Sequence, residues 1–148
     1  MNCEELNKFL SYIHMGNETF RLYYKAAEDM DNKRLKKLIT EIEEVFKRHE
    51  EIVTKVLEKR SCDASDNVTL MGKMALVMEK LKIVETEFDI CERAIKAVNM
   101  GLISGLKFAY YNRDMDDEIK EVIKDVISDY TDIQEKINDY ILVNCVKN

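Results

Sequence analysis

An all-α fold, with four long antiparallel helices packed as one bundle, is what this sequence predicts, and three observations predict it. Pro is absent and Gly occurs only 4 times in 148 residues. Apolar residues recur at spacings of three and four through almost the whole chain, and the breaks in that pattern are few and short. A balance of 46% apolar and 35% charged residues suits long amphipathic helices better than sheet, which needs more turn-forming residues. The length is that of a single domain, residues 1–148, whose core is large enough to need neither disulfides nor a structural metal.

The first helix is predicted over 3–29, where Leu6, Phe9, Leu10, Ile13, Phe20, Tyr23, Tyr24 and Ala27 share one face. The string Glu28-Asp29-Met30-Asp31-Asn32 interrupts it, and either Asp31 or Asn32 suits the N-cap of the next helix. That second helix is predicted over 32–60, with Leu35, Leu38, Ile39, Ile42, Val45, Phe46, Ile52, Val53, Val56 and Leu57 inward. Residues 61–83 are too many for a tight turn and too apolar for a free loop. They are expected to cross the bundle with a short helix of their own, because Leu70, Met71, Met74, Val77, Met78 and Leu81 keep helical spacing. A third long helix follows over 84–112, and a fourth over 115–145 carries Ile119, Val122, Ile123, Val126, Tyr130, Ile133, Ile137 and Ile141. Its acidic start, Asp114-Met115-Asp116-Asp117, suits the positive end of a helix dipole. Helices of roughly 27–30 residues run about 40–45 Å and can pack along their whole lengths.

Charge and composition exclude several function classes. A net charge of −6 argues against a nucleic-acid or anionic-membrane surface, which requires a positive field. No apolar run approaches the roughly 20 residues of a membrane span, since Lys96 and Lys107 interrupt the most apolar stretch. The opening Met1-Asn2-Cys3-Glu4-Glu5 lacks the basic and apolar parts of a secretory leader, so a cytoplasmic location is expected. In a reducing compartment the widely spaced Cys3, Cys62, Cys91 and Cys145 read as ordinary thiols. The basic run Lys33-Arg34-Lys36-Lys37 opens the second helix, where Asp29 and Asp31 are expected to neutralise it.

The two helical hairpins read as copies. Met15-Gly16 recurs as Met100-Gly101, and Asp29-Met30-Asp31 recurs as Asp114-Met115-Asp116, both 85 residues on. Beyond the turn, Leu35, Ile42 and His49 align with Ile119, Val126 and Ile133 at a separation of 84. Two identical strings at one offset, with the helical phase kept across them, indicate a duplicated hairpin.

A duplicated hairpin with a long crossover, ending its first helix in Tyr23-Tyr24-Lys25-Ala26-Ala27-Glu28-Asp29, resembles the ferritin-like superfamily. The likeness is to rubrerythrin-like proteins and to small bacterial bundles of unknown function that carry a string like Gly72-Lys73-Met74-Ala75. Active members of such families hold a di-iron centre with one Glu from each of two helices and a Glu-x-x-His from each of the others. Carried onto this chain, the first pair of positions reads Ile13 and Val98, the helix-two motif reads Phe46 and His49, and the helix-four motif reads Tyr130 and Ile133. One ligand of six remains, so neither catalytic nor cofactor-binding residues are assigned, and no cofactor is expected.

His49 is expected to be a neutral core histidine satisfied by Asn17, a Tyr hydroxyl or a water. The competing reading is an atypical iron site built from His49, Glu18, Glu92 and Tyr130, although Glu18 projects away from the apolar face. Ala97, Gly101, Gly105 and Ala109 form a ridge of small residues, expected to receive the first helix or the crossover, with Phe20 as a suitable occupant and a dimer seam as the alternative. The third helix also carries Met100, Leu102, Ile103 and Leu106 outside its inward stripe, which predicts a homodimer through that helix and the crossover, with Met74 and Met78 near the seam. Two functions therefore compete. One is a non-catalytic ferritin-like bundle acting through a second copy or another helical protein. The other is a metal-dependent redox or iron-handling protein of rubrerythrin or ferritin type with an unorthodox ligand set.

Overall fold

The computed structural model describes residues 3–65, 70–80 and 84–146. They form α1 (Cys3–Asp29), α2 (Lys33–Lys59), α3 (Leu70–Lys80), α4 (Glu87–Tyr111) and α5 (Asp117–Asn144), and no strand occurs among them. Four helices are long and fall within the predicted spans. The fifth, α3, lies inside the crossover, of which residues 66–69 and 81–83 fall outside the described residues. Side-chain caps explain why three helices start later than apolar periodicity predicts. Asn32 caps α2 by accepting from Leu35 N at 3.0 Å, and Asp116 caps α5 by accepting from Ile119 N at 3.1 Å. At α4 a reciprocal box forms, in which Thr86 Oγ1 accepts from Asp89 N at 3.1 Å and Asp89 Oδ2 accepts from Thr86 N at 2.9 Å. That box sets the start of α4 at Glu87 and not at residue 84.

Two helices stop in the same way without glycine. Asp31 (φ 53°) and Ser61 (φ 58°) both take the left-handed conformation. After α1, Asn32 N donates to Ala27 O and Asp31 N to Glu28 O; after α2, Cys62 N donates to Leu57 O and Ser61 N to Glu58 O. Both are Schellman ends, which satisfy carbonyls the helix would otherwise leave bare.

Packing follows the buried stripes. α1 packs on α2 and α4 on α5, while α1 against α4 and α2 against α5 complete a ring. The directions can be read from the helix ends. Asn32, before α2, donates to Glu87 at the start of α4, and Arg34 in the first turn of α2 donates to Asn144 at the end of α5. At the other end, Lys59 and Arg60 pair with Glu118 and Asp116. Thus α2 and α4 run parallel, α1 and α4 antiparallel, and the turn of each hairpin lies beside the open end of the other. Leu10, Ile13, Phe20, Leu35, Ile39, Ile42, Ile90, Ile133 and Ile137 are among the fully buried residues of the single core cluster. Removing roughly 1.5–3 kcal/mol worth of each such side chain from water is the main force holding the helices together. Partial exposure of Tyr24, Leu38, Val45, Val122 and Ile141 puts them at its margin, where the sequence pattern placed them inside.

The crossover attaches to α1. Asn7 holds its first residues with both ends of one amide, donating to Asp63 O at 2.8 Å and accepting from Ser65 N at 2.7 Å. His14 adds a contact to Ser65 O at 2.7 Å, and α3 docks through Tyr23, whose hydroxyl donates to Glu79 at 2.7 Å. α3 thus covers α1 and leaves one flank of α4 open, where Met100, Ile103, Leu106 and Tyr110 are all exposed. Burial raises the Tyr23 phenol well above its ordinary range, and Glu79 raises it further.

Two expectations are corrected. Cys3 and Cys62 are bonded as a disulfide across a separation of 59 residues, so they are not free thiols; Cys91 and Cys145 are free. Among the described residues the basic start of α2 makes no ion pair with Asp29 or Asp31: Lys36 reaches Glu28 at 3.9 Å and lies over the Tyr24 ring, and Arg34 bonds Asn144. No helix among the described residues is long and apolar enough to cross a membrane.

Candidate functional site

The middle of the core is built from two glycines and two aromatic rings. Gly16 on α1 faces Phe46 on α2 so closely that a Cβ added there would lie 2.6 Å from Phe46 Cε1. Gly101 on α4 stands in the same relation to Tyr130 on α5, where an added Cβ would lie 3.2 Å from Cε2. The sequence repeat carries Gly16 to Gly101 and Phe46 to Tyr130, so the same device occurs once in each hairpin. At its two glycines the small ridge of α4 therefore receives α5, through Tyr130 at Gly101 and Ile127 at Gly105, where α1 or the crossover was expected. Phe46 and Tyr130 meet at the centre with ring centroids 5.8 Å apart, and Phe20 lies 5.3 Å from Phe46 on the other side.

His49 sits one turn beyond Phe46 and is 1% exposed. Its ring meets Tyr130 edge-on at 5.6 Å and Phe46 at 6.4 Å. At Nε2 a carboxylate stands in place of the expected Asn17 or Tyr hydroxyl: His49 Nε2 lies 2.7 Å from Asp129 Oδ2. Arg48 Nη2 donates to the same oxygen at 2.8 Å. Asn17 donates instead to Glu50 at 3.0 Å, and Glu50 also faces His14 Nδ1 at 3.1 Å. Burial depresses the His49 pKa more strongly than Asp129 raises it, so the ring is neutral and Nε2 carries the proton it gives to Asp129. The remaining nitrogen, Nδ1, is buried with no hydrogen-bond partner among the described residues. Partial burial would raise Asp129, but the hydrogen bonds from His49 and Arg48 together hold its carboxyl below the usual range. Burial, followed by the Asp129 charge, raises the Tyr130 phenol.

Outside this pair lies a cleft of about 240 Å³ between α2 and α5, lined by Arg48, His49, Ile52, Asp125, Ser128 and Asp129, among others. Its charged groups are Asp125, Asp129 and Arg48, and Arg48 pairs with Asp129. The His49–Asp129 pair resembles the orienting half of a catalytic triad, but the nitrogen that would act as base, Nδ1, is buried and no hydroxyl or thiol among the described residues is hydrogen-bonded to it. The arrangement fixes a rotamer and a tautomer without presenting a reactive atom.

The residues do not fit the di-iron centre that the resemblance implies. Ile13, Val98 and Ile133 at the ligand positions are aliphatic and buried, and the Phe46 and Tyr130 rings fill the space carboxylates would need. The single surviving imidazole commits Nε2 to Asp129. Of the atypical set, Tyr130 is brought to His49, but Glu18 and Glu92 are not: Glu18 is partly exposed and pairs with Arg21 at 3.2 Å, and Glu92 is exposed and pairs with Lys96 at 3.9 Å. Among the described residues no group of three or more His, Cys, Asp or Glu side chains is placed to hold a metal ion. Sequence reasoning missed Asp129, which precedes Tyr130 and lies one helical turn before Ile133, the repeat mate of His49. An acidic residue one turn from the mate of a buried histidine was the available signal. Comparison with protein-family models, with curated proteins and with solved structures finds no match to this chain.

Proposed function

We propose that this protein is a ferritin-like four-helix bundle in which an aromatic layer stands in place of a metal centre, and that it acts by association and not by catalysis. The observation that carries the reading is the pair of glycine seats. A ring seated on Gly16 and its counterpart on Gly101 make the layer a fitted apolar core, whereas a metal site needs several anionic ligands to offset the cost of burying cations. The iron-handling alternative has weaker support, because two of its four ligands, Glu18 and Glu92, are engaged on the outside of the helices.

The associating surface is the open flank of α4. Met100, Ile103, Leu106 and Tyr110 recur every three or four residues along it and are each at least 44% exposed, with Met78 of α3 also exposed. The Met74 side chain lies outside the described residues. The partner proposed is a second copy of the chain, since an uncharged apolar stripe is self-complementary across a two-fold axis. The test is light scattering of the full chain across a wide concentration range, run beside elemental analysis for iron. A dimer that the Ile103→Lys variant converts to a monomer of unchanged helicity is the expected result. A monomer at all concentrations would remove the association, and a stoichiometric iron pair would remove the loss of the centre.

A further inference from the structure

The end of the molecule opposite the Cys3–Cys62 bond carries the other two cysteines. Cys91 lies in the second turn of α4 and is buried, while Cys145 is the C-cap of α5 and partly exposed. The two side chains lie close enough for each to act on the other's ionisation. Three contacts hold these helix ends together. Glu87, one turn before Cys91, accepts hydrogen bonds from the Tyr140 hydroxyl of α5 and, at 3.0 Å, from Asn32 Nδ2. Arg34 Nη1 donates to Asn144, the residue before Cys145, at 2.8 Å. The placement repeats that of the existing bond. Cys3 begins α1 and Cys62 follows α2 at the open end of the first hairpin, as Cys91 and Cys145 stand at the open end of the second.

We propose that Cys91 and Cys145 are a second disulfide site, closed by exchange with a small-molecule disulfide such as oxidised glutathione. Cys145, the more exposed, attacks one sulfur of the oxidant as its thiolate. The oxidant's S–S bond breaks, one glutathione leaves as a thiolate and takes a proton from water, and a mixed disulfide remains on Cys145. Cys91 then loses its proton to water and attacks the Cys145 sulfur; the protein S–S bond forms and the second glutathione leaves and is protonated. Two protein thiols are oxidised and one small disulfide is reduced to two thiols. Burial pushes both thiols above the ordinary range, Cys91 to about 12, so closure is slow at neutral pH and speeds up about tenfold per pH unit as thiolate accumulates.

The full chain, incubated with oxidised glutathione at mildly alkaline pH, is assayed by thiol titration in denaturant, intact mass and non-reducing peptide mapping. The thiol count is expected to fall from two to none, with the mass lower by two hydrogens and a peptide joining Cys91 to Cys145. The map of the unmutated chain decides the matter without a variant. Two persisting thiols, two separate glutathione adducts, or a cross-link from Cys91 to Cys3 or Cys62 would each overturn the proposal. Cys145→Ser, checked for unchanged helicity, is expected to leave Cys91 unmodified, and rapid glutathionylation of Cys91 in that variant would contradict the order of attack.

Discussion

Phe46 occupies the space that a side chain at residue 16 would need: its Cε1 lies 2.6 Å from where a Gly16 Cβ would be. A helix-interior glycine is unfavourable by about 0.8–1.0 kcal/mol relative to alanine, so its presence in the middle of α1 requires a compensating contact, and the ring provides it.

The three glycines of α1 and α4 should therefore respond differently to alanine. Gly16→Ala forces Phe46 to move within a packed core, and a net destabilisation of about 1–2 kcal/mol is expected after the helix-propensity gain. Gly101→Ala meets Tyr130 at 3.2 Å, a contact relieved by a shift of a few tenths of an ångström, so it should be near neutral. Gly105→Ala meets Ile127 at 3.4 Å and should stabilise by about 0.5–1 kcal/mol. Urea unfolding of the three variants tests the order, and Phe46→Leu should rescue Gly16→Ala if the ring is the obstacle. An order with Gly105→Ala worst would refute the seating argument.

His49 gives the protein an acid limb. Its folded-state pKa lies below the unfolded value of 6.5, so the unfolded chain binds the extra proton first. Stability is full above about pH 6.5 and falls as pH drops below it, by at most about 1.4 kcal/mol per pH unit for one proton. Asp129, depressed in the folded state, adds a second loss only as pH falls through about 4. His49→Leu leaves Asp129 with Arg48 and with solvent, since that side chain is 26% exposed. The variant should therefore match the parent within about 1 kcal/mol at neutral pH and show a flatter profile between pH 6.5 and 5. Parallel pH profiles for the two proteins would show that another group carries the limb.

The Cys3–Cys62 bond closes a loop with a separation of 59 residues and should stabilise the fold by about 2–4 kcal/mol, mainly by restricting the unfolded chain. Chemical unfolding of Cys3→Ser against the parent should show a lower midpoint. An unchanged midpoint in non-reducing buffer would mean that the bond contributes nothing to stability.

Helical periodicity made the four long helices and most of their buried faces legible, because burial of an amphipathic stripe is a local pattern. The caps at Thr86 and Asp116 were harder to read, since a cap competes with apolar periodicity over only one turn. The repeat located Phe46 and Tyr130 at matching positions, but it could not reveal that Gly16 and Gly101 were their seats, which depends on the distance between helices. His49 was readable as buried, and Asp129 was not, because its position on α5 looks solvent-facing until α2 is packed beside it. The disulfide was hidden for the same reason: Cys3 and Cys62 become neighbours only after α1 and α2 fold back on one another.

The two hairpins run head to tail with the turn of one beside the open end of the other, and the matching residues Phe46 and Tyr130 meet between them. Polar content breaks that correspondence: buried Asn17 has Leu102 as its mate, buried His49 has Ile133, and Asp129 has Val45, so the His49–Asp129 pair occurs in one copy of the motif only. The two faces of the bundle are therefore chemically distinct although the hairpins share one pattern: only the face where α2 meets α5 carries this buried imidazole with its carboxylate.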